Sequence, residues 1–147
     1  MVATVTVMRI FIGAIFGVLC VGVANATPAR VERVIDGDTF DATVMLDGDI
    51  RVAARVRIRD VDTPEIHGKC AAEREMAARA RDRLAEMIPV GTVVELTNIK
   101  DDKYLGRIDA NVADGRGVDV GRALVRAGLG RSYNGGRRAG WCSVSSR

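Results

Sequence analysis

Between residues 30 and 59 the chain alternates side-chain character with a period of two and breaks that alternation at two aspartate-glycine turns. Arg30–Ile35 carries Val31, Arg33 and Ile35 on one parity, the turn Asp36-Gly37-Asp38 follows, and Thr39–Leu46 runs on to Asp47-Gly48-Asp49 and a third stretch, Ile50–Arg59. This pattern predicts an antiparallel three-stranded meander. In its third strand Val52, Ala54, Val56 and Ile58 share one face, and Arg51, Arg55, Arg57 and Arg59 share the other.

From Ala71 the period lengthens. Ala72, Met76, Ala80, Leu84 and Ile88 recur every four residues, widened by Ala77 and Met87, and predict a helix over Ala71–Ile88 that Pro89 stops. Glu73, Arg74, Arg79, Arg81, Asp82 and Arg83 lie mostly off that stripe. Two further strands, Thr92–Ile99 and Arg107–Ala113, flank the polar loop Lys100–Gly106. After the Asp114-Gly115 turn comes a short helix, Val120–Ala127, with Asp119 as N-cap and Gly128 as the left-handed residue that ends it. The tail Arg131–Arg147 is rich in Gly, Ser and Arg, with Trp141 and Cys142 as its anchors. The expected fold class is mainly β with α: a small five-stranded antiparallel barrel of the oligonucleotide-binding (OB) type, closed or nearly so. One amphipathic helix follows its third strand and a short second helix follows its fifth.

The first 26 residues stand outside this pattern. One positive charge in Met1–Arg9, an apolar and glycine run over Ile10–Val23, and Ala24-Asn25-Ala26 have the form of an export signal with its cleavage site. The apolar run is shorter than the roughly 20 residues a membrane-spanning helix needs, so cleavage is favoured over a permanent anchor. Cys20 falls inside it. The expected organisation is a signal peptide, 1–26, and one domain, 27–147, that is periplasmic or secreted with no stable membrane association after cleavage. No oligomeric interface is evident, so a monomer is expected. The net charge of +3 includes Arg9, which leaves with the signal. So mild an excess argues only weakly for nucleic acid: a protein that holds DNA mainly by counterion release normally carries a larger one, so any nucleic-acid contact should be local. The aromatics after the signal, Phe40, Tyr104, Tyr133 and Trp141, are too few for a broad base-stacking platform. Cys70 and Cys142 remain, an even number in a chain sent to an oxidising compartment. They are expected to pair, with two buried thiols as the alternative; the loop so closed would add about 4 kcal/mol in the chain-entropy model.

The candidate chemistry gathers at strand ends. Asp36, Asp38, Asp62 and Glu65 sit at the Asp-Gly and Thr-Pro changes of direction, where turn formation by itself is the plainer reading of each segment. Converging carboxylates suit a hard cation such as Ca²⁺ or Mg²⁺, and neighbouring arginines suit a phosphate that the cation also holds. The lone histidine, His67, removes nucleases with a histidine base and His-rich zinc sites, and reads as a surface residue.

Val34-Ile35-Asp36-Gly37-Asp38-Thr39, then Arg57 ahead of Asp62-Thr63-Pro64-Glu65, then Asp102-Lys103-Tyr104 before Gly106-Arg107, and Ala123–Leu129 occur in one order. In that order the mature chain resembles the staphylococcal nuclease (thermonuclease-like) family. The resemblance implies an OB barrel and a secreted, Ca²⁺-dependent phosphodiesterase that cuts DNA and RNA with little sequence preference and leaves 3′-phosphate ends. It implies Asp38, Asp62 and the Thr63 carbonyl as metal ligands, Glu65 as the group that activates water, and Arg57 and Arg107 as the grip on the scissile phosphate. Lys103 and Tyr104 would lie near the nucleotide's terminal phosphate, and Tyr133 has a loose match to a substrate-facing tyrosine. Two departures stand out. Leu105 adds one residue before the second arginine, and the chain lacks room for a long third helix, whose place a Cys70–Cys142 bridge would take by tying the tail to the first helix. A non-catalytic barrel binding nucleic acid or another partner is the alternative, as is an exported metal-binding domain; the complete residue set favours an enzyme.

Overall fold

Alternating side-chain character and tight turns make residues 27–58 a curled meander. The computed structural model describes residues 25–142. Strand β1 (Thr27–Asp36) pairs antiparallel with β2 (Thr39–Met45), and β2 with β3 (Arg51–Ile58). A two-residue strand, β4 (Val61–Asp62), leads to helix α1 (Ala71–Met87). Then come β5 (Val93–Asp101), β6 (Arg107–Ala113), helix α2 (Val120–Arg126) and the two-residue β7 (Arg131–Ser132).

Five strands close into a barrel in the order β1-β2-β3-β6-β5. Closure corrects the expectation of a wholly antiparallel sheet. β3 and β6 run parallel, with Arg57 opposite Asp109, because α1 and β5 carry the chain across the barrel between them. β1 is also longer than expected at its start: Thr27–Arg30 pairs with Val93–Leu96 of β5, a long-range pairing that local alternation does not reveal. This mixed barrel with two helices has the OB architecture.

The barrel interior holds Val31, Phe40, Val56, Ile58, Leu96 and Val112, and Leu84 of α1 and Ile88 at its C-cap enter the same core. The helix stripe needs one correction. Ala72 is exposed and Glu73 is buried. Glu73 Oε2 turns back and accepts a hydrogen bond from the Lys69 backbone N–H (3.0 Å), satisfying an amide that the helix start leaves free. α2 follows expectation: the Asp119 side chain accepts from Arg122 N, and Gly128 ends the helix with φ at +71°. Leu84 is fully buried where α1 plugs the barrel. Leu84→Ala is expected to cost about 2–5 kcal/mol in a urea titration, by lost transfer energy and the cavity left behind; a loss under about 1 kcal/mol would mean that the helix does not seal the core.

The expected disulfide is present. Cys70, at the N-cap of α1, is bonded to Cys142, with Cα atoms 5.9 Å apart. The tail is further fixed by a pairing the sequence does not announce, β4 with β7, which sets Asp62 opposite Arg131. Among the described residues no helix is long and apolar enough to cross a membrane. The expected export segment lies outside the described residues apart from Asn25 and Ala26.

Candidate active site

The β1–β2 turn, the β3–β4 corner and the tail meet at one edge of the barrel. Gly37 makes the meeting possible: a Cβ there would lie 2.6 Å from Ala80 Cβ and 2.9 Å from Thr63 Oγ1, so only glycine lets the turn pack onto α1 and the corner. Asp38 is thereby buried at the meeting point, its carbonyl accepting from Ile58 N (2.8 Å). Its carboxylate accepts from Thr39 Oγ1 at 2.9 Å and from the Thr63 amide at 3.4 Å. Asp62 and Thr63 are also buried beside it.

Asp38, Asp62, Thr63, Glu65 and Arg57 therefore come together. Periodicity groups Arg57 with Arg51, Arg55 and Arg59, yet it is only 9% exposed. Its guanidinium lies 3.3 Å from Asp38 Oδ2 and donates to the carbonyls of Ile58 and Val61, each at 3.4 Å. All three contacts are long, so donors of this five-proton fork remain for an incoming anion. The strand's other arginines behave as surface charges, Arg55 pairing with Asp41 at 2.8 Å.

Arg107 enters the same region from β6. A cleft of about 1180 Å³ is lined by Arg57, Glu65, Lys103, Tyr104, Arg107 and Arg138, among others. The extra residue Leu105 is absorbed at the loop tip. Leu105 is fully exposed, Gly106 takes a left-handed φ of +76°, and Arg107 N bonds back to the Tyr104 carbonyl at 3.1 Å. The Arg107 guanidinium bonds to Asp102 and stacks 4.6 Å from the Tyr104 ring centroid, with Lys103 on that ring at 5.0 Å. Burial alone would raise the Asp102 carboxyl, but the Arg107 bond and charge hold it below its usual range.

The electrostatics bear the mark of crowded carboxylates. Burial, with the neighbouring charges of Asp38 and Asp36, pushes the Glu65 carboxyl above its usual value, and Arg138 opposes this. Asp36 is raised as well, chiefly by burial. Asp62 Oδ1 and Asp36 Oδ1 are buried without a hydrogen bond, although Arg138 Nε lies 3.2 Å from the former. Hard oxygen donors with an unsatisfied buried carboxylate oxygen suit a hard divalent cation held by Asp38, Asp62 and the Thr63 carbonyl. A second close set, Cys70, Glu73 and Cys142, has donor atoms within 4.8 Å of one another, but both sulfurs are spent in the disulfide.

Two arginines at this edge escape sequence reasoning. Arg131 donates to Asp62 Oδ2 (2.9 Å) and to the carbonyls of Ala139 and Gly140, and lies 3.7 Å above the Trp141 ring. Arg138 reaches both Asp62 and Glu65. The available signal was the density of arginines in a tail anchored by Trp141 and Cys142. Tyr133 lines the cleft too, with Arg57 at 6.0 Å and Arg138 at 5.8 Å from its ring centroid. His67 is exposed, as expected.

No curated protein matches the chain. A family model described as staphylococcal nuclease homologue matches residues 55–140. The matched stretch takes in Arg57, Asp62, Glu65 and Arg107, while Asp38 precedes it. With its barrel, its carboxylate and arginine cleft and this match over more than half its length, the chain belongs to the staphylococcal nuclease homologue family, which gives it a nuclease-like, nucleic-acid-related role.

Proposed function

We propose that this protein is an exported, Ca²⁺-dependent nuclease that hydrolyses phosphodiester bonds of DNA and RNA with little sequence preference and leaves 3′-phosphate ends. The observation that carries the reading is the convergence of buried Asp38 and Asp62 with Arg57 and Glu65, the latter two lining one cleft that also contains Arg107.

Asp38 and Asp62 would hold the ion through carboxylate oxygens and Thr63 through its backbone carbonyl. When bound there, the cation offsets the negative charge of the phosphate and polarises it as a Lewis acid. Arg57 and Arg107 donate to the non-bridging phosphate oxygens and stabilise the charge that builds on them as water attacks. Arginine suits this better than lysine because its planar fork spans two oxygens and stays charged. Glu65, half-exposed at the cleft wall, accepts the proton of the attacking water as the bond from phosphorus to the 5′ oxygen breaks, and the departing 5′ oxygen takes a proton from solvent. Lys103 and the exposed Tyr104 receive the terminal phosphate and the adjoining nucleotide. Contacts of this kind address the phosphate backbone, which DNA and RNA share, and not base edges, in keeping with broad specificity.

Residues 1–26 act in this reading as a cleaved export signal. The mature domain, 27–147, works as a monomer in the periplasm or outside the cell, and its disulfide accords with an oxidising compartment. The test is cleavage of denatured DNA and of RNA by the purified protein with Ca²⁺ or with a Ca²⁺ chelator, with product ends mapped by phosphatase sensitivity. Cleavage that Ca²⁺ supports and the chelator abolishes is expected. A folded protein that cuts neither polymer in Ca²⁺ would overturn the enzyme reading in favour of a binding module.

A further inference from the structure

A further arginine of the cleft, Arg138, is placed there by the tail. Arg138 reaches Asp62 Oδ1 through Nε at 3.2 Å and Glu65 Oε1 through its terminal nitrogen, and lines the same cleft as Arg57 and Arg107. Arg131 and Arg138 differ in how they are held. Arg131 is locked by Asp62, two tail carbonyls and the Trp141 ring, and it does not line the cleft. Arg138 is bonded only to carboxylates, is 38% exposed at its side chain, and sits beside Tyr133 at the cleft wall. The Cys70–Cys142 bridge and the β4–β7 pairing hold the backbone on both sides of it.

Charge balance decides what such a residue does. The edge holds four carboxylates, Asp36, Asp38, Asp62 and Glu65, against the three guanidiniums of Arg57, Arg131 and Arg138. A divalent cation on Asp62 makes Arg138 redundant there as a counter-charge, and like charges repel at such range. Freed from Asp62, its fork has an anion to seek, and the phosphate is the anion the cleft receives.

We propose that Arg138 is a third phosphate-binding arginine: it balances Asp62 and Glu65 while the site is free of metal, and turns to the substrate phosphate once a cation takes Asp62. The inference rests on the nuclease reading of the same site. It separates two quantities that a merely structural residue would move together. Arg138→Gln removes a competitor for Asp62, so Ca²⁺ alone should bind the full chain about 3- to 10-fold more tightly by isothermal titration, the fold-change of a charge interaction near 1 kcal/mol. Cleavage of denatured DNA in saturating Ca²⁺ should nevertheless fall by about 10- to 100-fold in kcat/KM, as expected for one lost donor at the phosphate. Arg138→Lys, which retains the charge without the fork, should keep Ca²⁺ affinity near wild type and recover only part of the cleavage.

Ca²⁺ affinity that weakens in Arg138→Gln, or cleavage within 2-fold of wild type, would overturn the inference while leaving the nuclease reading in place. A wild-type protein that binds Ca²⁺ but cuts neither DNA nor RNA would overturn the nuclease reading and this inference with it.

Discussion

Arg57→Ala is expected to lower Ca²⁺-dependent cleavage of denatured DNA by about 10²–10³-fold, the usual cost of removing one preorganised donor from a developing oxyanion. The size of the effect follows from burial. Arg57 is almost wholly enclosed, so its donors act in a medium less polar than water and need no reorganisation when the phosphate arrives. Its partners are few and long: Asp38 Oδ2 at 3.3 Å and two carbonyls at 3.4 Å. Arg57→Lys should recover little, because an ammonium cannot span two phosphate oxygens from that position. Steady-state kinetics at saturating Ca²⁺ checks this, with thermal melts to establish that each variant is folded. Retention of more than about a tenth of wild-type activity in Arg57→Ala would return Arg57 to the role of counter-ion for Asp38.

The second large effect concerns stability. Replacing Cys70 and Cys142 by serine is expected to cost about 4 kcal/mol, since the bridge closes a loop of 72 positions in the unfolded chain. In a domain of this size that corresponds to a fall in Tm on the order of 15 °C. Reduction of the wild type should reproduce it. The tail would lose its covalent fixing, leaving the two-residue β4–β7 pairing and the Arg131–Trp141 stack. Cleavage should therefore fall even at temperatures where the barrel is still folded, because the tail no longer holds Arg138 at the cleft. Equal melting temperatures for the oxidised and reduced protein would mean that the bridge contributes nothing to the native balance.

Much of the barrel was legible because the signals are local. The Asp36-Gly37-Asp38 and Asp47-Gly48-Asp49 turns fix where β1, β2 and β3 reverse, and the four-residue recurrence ending at Leu84 and Ile88 marks the face of α1 that enters the core. What misled was symmetry along β3. Periodicity places Arg57 with Arg51, Arg55 and Arg59, yet Arg57 is buried and the other three are not, because the Asp38 turn and β4 cover only that end of the strand. Glu73 was assigned to solvent for a similar reason. Helical position predicts exposure, and the free amide of Lys69 draws the carboxylate inward.

By itself, the sequence determined which chemistries this protein has available: carboxylates at two turns, arginines flanking them, a single histidine, and a cysteine pair. Those are properties of residue type and short spacing, which survive in an unfolded chain. Only the tertiary structure decided which of more than a dozen arginines serve the carboxylates. Asp62 meets Arg131 through a two-residue strand pair joining segments 69 positions apart, and Arg138 reaches Asp62 and Glu65 because the tail is tied at Cys142 to the start of α1. Chain closure over such distances is governed by the packing of the whole barrel and not by any local preference, so no window of sequence carries it.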